Sequence, residues 1–225
     1  MKETLRRLRP ELTEEQLDRF DAYYALLIEW NTRMNLTAIT DKEDVAKKHF
    51  ADSLAALPYL KQGARVADVG TGAGFPGLPL LIVRPDLKLT LIDSLNKRVT
   101  FLQTACETLG LDAVCLHMRA EDAGRDPRYR GKFDVVLTRA VSALPVLAEL
   151  TVPLAKVGGI SIAYKGDANG ELEAAKNALT LLHAEAKKID IPSDYGARSL
   201  IVMEKTAPTA KTYPRKAGTP AKNPL

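Results

Sequence analysis

The sequence contains few cysteines, few aromatic residues and no long apolar run. Among its 225 residues are two cysteines, Cys106 and Cys115, which are too few for a disulfide framework. Their spacing matches no zinc or redox motif, so we expect two ordinary core residues and no metal site. The best apolar segment, residues 78–83, contains a proline and is much too short to span a membrane. The first residues lack the apolar stretch of a secretory signal, so we expect a cytoplasmic protein with no membrane partner.

Acidic residues are missing from the last part of the chain, and this sets the distribution of charge. The chain carries a net charge of +4, and residues 206–225 alone carry +4 from Lys211, Arg215, Lys216 and Lys222. Residues 1–205 therefore sum to zero. A basic tail beside a neutral body favours a polyanionic partner, with nucleic acid as the first candidate. A solvated tail that only aids solubility is the alternative.

The pattern along the chain indicates one α/β domain with appendages. With 46% apolar and 27% charged residues, the composition is that of a globular protein. Residues 1–60 have helical periodicity, with capping boxes that begin at Thr13 and Thr40. From residue 65, β-rich runs alternate with helical stretches, which is typical of a doubly wound α/β fold with a parallel sheet. The predicted strands are residues 65–69, 88–92, 113–117, 133–138 and 159–164, and the predicted helices between them are residues 77–83, 96–109 and 144–154.

The end of the chain departs from this alternation. A predicted helix at residues 171–183 precedes two further strand candidates, residues 185–191 and 199–205. Because no helix separates these two, we predict an antiparallel hairpin at the edge of the sheet. Residues 206–225 contain four prolines and are predicted to be irregular.

A glycine-rich loop follows the first predicted strand. It contains Gly70, Gly72 and Gly74, and the strand carries Asp68 two residues before the first glycine. Glycines permit positive φ and leave space where a Cβ would meet a ligand, and the next helix presents free N–H groups. The spacing from Gly72 to Gly77 also fits a dinucleotide site, but that frame begins late. The frame that begins at the strand, with its acid as counter-charge for a methionine ammonium, favours S-adenosylmethionine (SAM) as the cofactor.

Acidic residues also follow the second and third predicted strands. Asp93 ends the second strand and is placed to accept the ribose hydroxyls, a role common to NAD and SAM sites. Glu121 follows the third and is a candidate acceptor for the adenine amino group. Either acid alone is typical of a solvated loop, but acids after consecutive strands favour a cofactor site.

The residues after strands four and five narrow the group that accepts the methyl. No cysteine follows Cys115, so methylation of a pyrimidine carbon through a thiolate is not expected. Residues 138–141 lack the acidic or Asn residue, two prolines and aromatic that are typical of exocyclic amino methylation. Arg139 is instead a candidate contact to the cofactor carboxylate, a phosphate or a base edge. Together with Lys165 after strand five, it favours a positioning site for a ring nitrogen such as guanine N7, which needs no general base.

Further segments accompany these motifs along nearly the whole chain. They are residues 35–39 (NLTAI), 48–53 (KHFADS), 68–79 (DVGTGAGFPGLP), 93–98 (DSLNKR), 119–121 (RAE), 139–140 (RA), 165–166 (KG) and 213–220 (YPRKAGTP). With these segments the sequence resembles the bacterial small-subunit ribosomal RNA guanine-N7 methyltransferases, also called the glucose-inhibited division protein B family. Many methyltransferases share the glycine loop, whereas the histidine segment and the tyrosine-proline-arginine tail are much more specific.

The resemblance implies a fold, a reaction and a set of cofactor contacts. The fold is a seven-stranded, Rossmann-like SAM-dependent methyltransferase sheet with a short N-terminal helical extension. We divide the chain into this extension at residues 1–60, the methyltransferase domain at 61–205, and a basic tail at 206–225 that packs near the site. The implied reaction is methylation of N7 of guanine 527 in 16S rRNA. The residues implied to line the SAM site are Gly70, Phe75, Asp93, Ser94, Leu95, Ala120, Glu121 and Arg139.

Basic residues beyond the cofactor motifs are candidates for phosphate contact. They are Arg33, Lys97, Arg98, Lys165, Arg198, Lys205, Lys211 and Arg215. With Tyr213, which could stack on an unpaired base, they favour an RNA groove, although each alone is typical of solvated surface. His49 is interpreted as structural in preference to a substrate contact.

The expected partner is 16S rRNA, either naked, in an assembly intermediate or in the small ribosomal subunit, and the protein is expected to be a monomer. Deleting residues 206–225 is predicted to weaken RNA binding more than SAM binding. From the residues alone three other functions stay open. They are a small-molecule or protein methyltransferase, a nicotinamide-dependent oxidoreductase, and a noncatalytic RNA-binding protein with a relic pocket.

Overall fold

A computed structural model describes residues 1–139 and 142–225, and within them the chain is organised around one seven-stranded sheet. Its strands are β1 (Arg65–Val69), β2 (Lys88–Asp93), β3 (Ala113–His117), β4 (Phe133–Arg139), β5 (Ala155–Lys165), β6 (Ala184–Asp190) and β7 (Ser199–Lys205). The spatial order is β3-β2-β1-β4-β5-β7-β6. Strands β1 to β5 pair in parallel, and β7 runs antiparallel to both β5 and β6. The predicted doubly wound α/β fold and the edge hairpin are confirmed.

Helices cover both faces of this sheet. The α-helices are α1 (Lys2–Leu8), α2 (Glu14–Met34), α3 (Lys42–Val45), α4 (Gly77–Val83), α5 (Asn96–Leu109), α6 (Ala120–Arg125), α7 (Leu144–Thr151), α8 (Glu171–Ala174), α9 (Lys176–Leu182) and α10 (Thr219–Lys222). A π-helical segment, Ala46–Ala51, and a 3-10 helix, Leu54–Tyr59, complete the N-terminal extension. No helix in the two described ranges combines the length and the apolar character needed to cross a membrane.

Alternation along β1 divides the core into two layers. Val66 packs with residues of α2, α4 and α5, whereas its neighbour Ala67 packs on the other face with residues of α6 and β4. The N-terminal extension belongs to the first layer, where Phe20 and Tyr23 of α2 are fully buried. Burying a large apolar side chain contributes roughly 1.5–3 kcal/mol relative to leaving it in water. The extension is therefore part of the core and not an appendage on its surface.

The two predicted capping boxes have different outcomes. At Thr13 the box is confirmed: its hydroxyl accepts from the Gln16 N–H, and the Gln16 side-chain oxygen accepts from the Thr13 N–H at 3.0 Å. The prediction that Thr40 begins a second box is wrong, since Asp41 is the N-cap of α3. The Asp41 carboxylate accepts from the backbone N–H groups of Glu43 and Asp44, at 3.0 and 2.9 Å. Aspartate is one of the preferred N-cap residues because its side-chain oxygen reaches these N–H groups.

Several boundaries differ from the prediction. Strand β5 begins at Ala155, earlier than predicted, and α7 is correspondingly shorter. The helix predicted at residues 171–183 is divided at Ala175 into α8 and α9. Helices α6 and α10 were not predicted, and α10 is the one regular turn in a tail that is otherwise irregular, as predicted. Ala140 and Val141, which belong to the motif after β4, lie outside the described residues.

Candidate functional site

Two cavities meet at the glycine loop beyond the carboxyl ends of β1 and β2. One has a volume of about 450 Å³ and the other about 230 Å³. Both are lined by Gly70, Asp93 and Ser94, so these residues form the junction between them. The carboxyl edge of a parallel sheet is where open α/β folds bind ligands. The structure thus forms a two-lobed site at the place that the sequence predicts.

The glycine loop has the backbone geometry that its residues permit. Gly70 and Gly72 have φ values of +67° and +59°, which only glycine adopts without strain. The Gly70 N–H donates to the Ile92 carbonyl at 2.9 Å, and the Gly72 N–H donates to Asp93 Oδ2 at 3.0 Å. The end of β2 therefore holds the loop against both lobes.

Gly74 turns toward the N-terminal extension and not toward a cavity. A Cβ there would lie 2.6 Å from the Tyr23 hydroxyl oxygen and 2.5 Å from a Leu78 methyl carbon. The Tyr23 hydroxyl also donates to the carbonyl of Ala73. Gly74 was predicted as a cofactor contact; its place in the structure instead joins the loop to α2.

Asp68 lies beneath the loop, and this corrects its predicted role as a counter-charge facing the cofactor. The side chain is fully buried and belongs to neither cavity wall. Its Oδ2 accepts from the Thr71 hydroxyl at 2.7 Å and from the Gly77 N–H at 2.8 Å. Its Oδ1 has no hydrogen-bond partner among the described residues. Burial raises the pKa of this carboxyl to about 6, although the two hydrogen bonds and the charge of Arg139 act in the other direction.

Asp93 stands between the two lobes, where a ribose acceptor was predicted. It is almost fully buried, and its oxygens accept from the N–H groups of Leu95, at 2.9 Å, and Gly72. Arg98 approaches Oδ2 at 3.5 Å and lines the larger lobe. Leu95 itself is half exposed and in neither cavity wall, so its contact to the site is made through its backbone N–H.

The smaller lobe has largely apolar walls and two carboxylates, Asp93 at the junction and Glu121. Ala120 and Glu121 line it, together with Met118, Val146 and Leu150. The tail was predicted to pack near the site, and two of its residues, Gly218 and Ala221, also line this lobe. The Gly218 N–H donates to Glu121 Oε1 at 2.7 Å. One oxygen of the predicted adenine acceptor is therefore already occupied, while Oε2 lies 3.7 Å from Arg119 Nε.

A third cavity, of about 500 Å³, adjoins the larger lobe. It shares His49 and Arg139 with that lobe and is also lined by Lys48, Lys165 and Arg198. Four segments that are separate in sequence thus supply cations to one space: the N-terminal extension, the end of β4, the end of β5, and the residues before β7. This concentration of positive charge suits an anionic ligand.

Asp52 connects these segments, and the sequence analysis assigned it no role. Its carboxylate is almost fully buried and accepts a bidentate pair of hydrogen bonds from Arg198, at 2.8 and 2.7 Å. Arg139 Nη1 donates to the same carboxylate at 3.2 Å, and the Tyr195 hydroxyl donates to it at 3.1 Å. Asp52 therefore offsets part of the charge of two arginines and fixes where both lie.

His49, Phe75 and Arg139 form a stack at the boundary between the larger lobe and the third cavity. The His49 ring lies 4.6 Å from the Phe75 ring, and the Arg139 guanidinium lies 4.9 Å from that ring on its π face. Arg139 Nη2 is 3.2 Å from His49 Nδ1, and Thr37 Oγ1 is 2.8 Å from His49 Nε2. Since a guanidinium only donates, Nδ1 accepts and Nε2 carries the proton. Burial, with the nearby Arg139 charge, lowers the pKa of His49 to about 4, so the ring is neutral near pH 7.

Lys165 lies in the wall of the third cavity, but its ammonium is paired. It donates to the Ser142 carbonyl and to Glu171 Oε1, both at 2.7 Å. These contacts tie the end of β5 to the starts of α7 and α8. Lys165 is thus placed to shape the cavity and to contribute charge to it.

The predicted RNA-binding residues fall into three groups. Arg98, Lys165 and Arg198 line cavities. The side chains of Arg33, Lys97 and Lys211 are exposed. For Lys205, Tyr213 and Arg215 phosphate or base contact stays a prediction, since the structure shows all three side chains with partners or neighbours within the protein.

These three side chains are held by the protein itself. Lys205 is buried and donates to the Ala155 carbonyl at 2.8 Å, and burial lowers its pKa to about 8. Arg215 pairs with the fully buried Glu149, and its guanidinium donates to both carboxylate oxygens. Tyr213 is partly buried against the apolar cluster around α7 and α9. Sequence alone does not reveal such partners, because Glu149 lies 66 residues from Arg215.

Comparison with known protein families gives one consistent result. The family model described as GidB, rRNA small subunit methyltransferase G, matches residues 16–200. The chain is 50% identical over 227 residues to the ribosomal RNA small subunit methyltransferase G of Desulfitobacterium hafniense strain Y51, covering 99% of this chain and 95% of that protein. It is also 50% identical over 221 residues to the protein of that name from Halalkalibacterium halodurans, covering 95% and 93% of the two chains.

Solved structures with lower sequence identity share the fold. A SAM-dependent methyltransferase from Aquifex aeolicus superposes with a TM-score of 0.55 at 18% identity, covering 75% of this chain and 96% of that one. A methyltransferase from Pyrococcus furiosus gives a TM-score of 0.55 at 15% identity, covering 84% and 99%. At this level of identity the likeness establishes the methyltransferase fold and nothing finer.

Proposed function

Because the chain belongs to the GidB family of small-subunit rRNA methyltransferases, we propose that it methylates N7 of a guanine in 16S rRNA, guanine 527. The methyl donor is SAM, and the chain is a SAM-dependent methyltransferase. One observation carries the proposal of a base acceptor. His49 and Arg139, which stack with Phe75, line both the lobe beside the glycine loop and a cationic cavity large enough for a nucleotide.

The two lobes suit the two ends of SAM. The smaller lobe, with its apolar walls and Glu121, fits an adenosine, and Asp93 at the junction lies where the ribose would be. The larger lobe, with Arg98 and Arg139, fits a methionine carboxylate. The orphaned Oδ1 of Asp68 lies beneath the loop between them and adds negative potential for the methionine ammonium without touching it. When bound, SAM supplies an electrophilic methyl group on a sulfonium.

Among the described residues that line the larger lobe and the third cavity, no base is free of a hydrogen-bond partner, and this favours a ring nitrogen as the nucleophile. Of the described wall residues, His49 is neutral but its Nδ1 already accepts from Arg139, and the oxygens of Asp93 accept from backbone N–H groups. An exocyclic amine would have to lose a proton, whereas guanine N7 attacks with a free lone pair. The bond from N7 to the methyl carbon forms as the bond from sulfur to that carbon breaks, and the positive charge passes to the base. The residues of this chain therefore act by alignment and electrostatics.

Paired charges in the third cavity fit a base that becomes cationic. Unpaired arginines beside N7 would oppose the reaction, but Asp52 offsets Arg139 and Arg198, and Glu171 offsets Lys165. The remaining N–H donors of these side chains are suited to the O6 of guanine and to phosphate oxygens. Phosphate contacts fix position, and base-edge contacts select guanine.

The substrate is 16S rRNA within the small subunit or an assembly intermediate, bound by a monomer. The decisive experiment is transfer of a tritiated methyl group from SAM to small subunits that lack the modification, followed by nuclease digestion and mapping of the labelled base. We expect one labelled nucleoside, 7-methylguanosine, at position 527. Label on another base, or on protein, would overturn the proposal. The affinity of this protein for rRNA should fall steeply as the salt concentration rises. A small-molecule methyltransferase would show no such salt-sensitive RNA binding.

A further inference from the structure

The basic tail is fastened to the body of the protein by a buried ion pair. Glu149 on α7 is fully buried, and its two oxygens receive the Nε and Nη2 groups of Arg215. Its Oε1 also accepts the backbone N–H of Arg215 at 2.7 Å. A charge so deeply buried is tolerated only when it is paired and hydrogen-bonded. The tail is therefore held in one path at residue 215.

Two arginines of the body hold the backbone of the tail upstream of this point. Arg130 donates to the Thr209, Ala210 and Tyr213 carbonyls at 2.8, 3.0 and 2.6 Å. Arg125, at the end of α6, donates to the Pro214 carbonyl at 2.8 Å.

The proline ring packs directly on α6. A Cβ at Gly124 would lie 2.7 Å from Pro214 Cγ, so close packing needs glycine there. These contacts are specific to the tail path and leave its lysines free to face solvent: Lys211, Lys216 and Lys222 are exposed.

The path leads directly to the smaller lobe of the cofactor site. Beyond Arg215 the chain turns at Gly218, where φ is +80°, and begins α10. The Gly218 N–H reaches Glu121 Oε1 at 2.7 Å, and both Gly218 and Ala221 form part of the cavity wall. This one hydrogen bond orients the Glu121 carboxylate. Since Oε1 is occupied, Oε2 is the oxygen available to a ligand.

We propose that residues 218–221 are the outer wall of the adenosine-binding lobe, so that the tail is a cofactor-binding element. The Gly218 N–H is a positioning group that sets Glu121, and Ala221 closes the lobe on the solvent side. The binding of SAM, and of its product S-adenosylhomocysteine, depends on this wall. This inverts the sequence-based prediction that losing the tail weakens RNA binding more than SAM binding.

A truncation at residue 217 tests the proposal, because it removes the wall and keeps the Arg215–Glu149 anchor. Calorimetric titration with S-adenosylhomocysteine should show affinity at least tenfold lower than in the full chain, with the circular dichroism spectrum unchanged. The matched control is Lys216→Ala with Lys222→Ala, which removes charge and no wall, and should change this affinity less than twofold. Equal affinity in the truncated and full chains would overturn the proposal.

A protection experiment decides the matter even if the truncated chain folds poorly. The variants Ala221→Cys and Lys211→Cys each place a thiol at an exposed tail position, and peptide mass spectrometry reads maleimide modification at that position alone. Saturating S-adenosylhomocysteine should slow modification at position 221 at least fivefold and leave position 211 unaffected. Equal rates at position 221 with and without the ligand would overturn the proposal.

Discussion

Two buried carboxylates hold arginines in this protein, and the two regions differ in what the arginines are left to do. Glu149 pairs with one arginine of the tail, Arg215, whose N–H groups donate to both carboxylate oxygens. Arg215 does not line the third cavity, so these donors do not face a ligand there. Asp52 takes two arginines, yet Arg139 and Arg198 stay in the wall of that cavity. A carboxylate of the first kind fastens a segment. One of the second kind positions cations for a ligand.

A third buried carboxylate sharpens this comparison, since no cation pairs with it among the described residues. Asp68 is held by a hydroxyl and a backbone N–H alone, and the consequence is a raised pKa. The role of each of these three buried acids therefore depends on its partner. Glu149 pairs with an arginine of the tail, Asp52 with arginines of the site, and Asp68 with the glycine loop itself.

Arg139→Ala should have the largest effect because, of the described residues, Arg139 is the cation that lines both the larger lobe and the third cavity. We expect kcat/KM for methyl transfer to fall at least a thousandfold, equivalent to about 4 kcal/mol. The fold should survive, since Asp52 keeps its bidentate pair with Arg198. Single-turnover assays and urea unfolding measure the two effects. The control is Arg128→Ala, which breaks an exposed ion pair outside the site. Wild-type turnover by the Arg139→Ala variant would show that Arg139 has no role in the mechanism.

Glu149→Gln should give the largest loss of stability. The amide keeps the shape of the side chain but replaces one of the two oxygens that accept from Arg215, and losing a hydrogen bond to a charged group costs about 1.5–3 kcal/mol. Urea unfolding of Glu29→Gln provides the control, since that pair with Arg33 is exposed and should cost less than about 0.5 kcal/mol. Similar losses in the two variants would contradict the distinction between buried and exposed pairs.

Asp68→Asn should change how stability depends on pH. The folded pKa of about 6 exceeds the ordinary value of 3.8, so Asp68 contributes most stability at low pH, and this contribution is lost as pH rises toward and through the folded pKa. The asparagine variant lacks this titration. Its unfolding free energy relative to wild type should therefore rise by roughly 1.5 kcal/mol between pH 5 and pH 7.5. Parallel pH profiles for the two proteins would show that Asp68 titrates normally in the fold.

Lys97→Gln should have the smallest effect. Lys97 is exposed and adjoins Arg98 of the cavity wall, so it is suited to a phosphate contact. We expect the Kd for rRNA to rise about threefold at low salt and the slope of log K against log salt to fall by about one. Filter binding should show no such change for Lys61→Gln, because Lys61 lies near the amino ends of the strands, away from the cavities at their carboxyl ends. An unaltered slope for Lys97→Gln would place the RNA elsewhere.

The sequence predicts most of the fold because the signals are local. Strand β1, helix α4 and helix α5 follow directly from periodicity and from the glycine loop, and their bounds match the prediction. The position of Asp93 follows from a rule about strand ends. Helix α6 is absent from the prediction because its six residues are too few to show helical periodicity.

The partners of charged residues could not be predicted in this way. Asp52 lies 87 residues from Arg139 and 146 from Arg198, and no local pattern joins them. The same is true of Glu149 and Arg215, so the sequence predicts an RNA contact at Arg215 without revealing its buried partner. The sequence gives the type and charge of each of these side chains. Their burial and their partners depend on the fold, so the sequence does not reveal them.

The contact between Gly74 and Tyr23 has a consequence for how this family varies. All three glycines have positive φ, and a Cβ at Gly74 would in addition meet Tyr23 of the N-terminal extension and Leu78, whereas one at Gly72 would meet nothing closer than 4.0 Å. The third glycine is therefore under one constraint more than the second, although both belong to one motif in the sequence. In methyltransferases without these N-terminal helices the constraint from the tyrosine should be absent at the third glycine and the constraint from φ should remain. Covariation of that position with a tyrosine at the position of Tyr23 would mark the proteins that retain the helices.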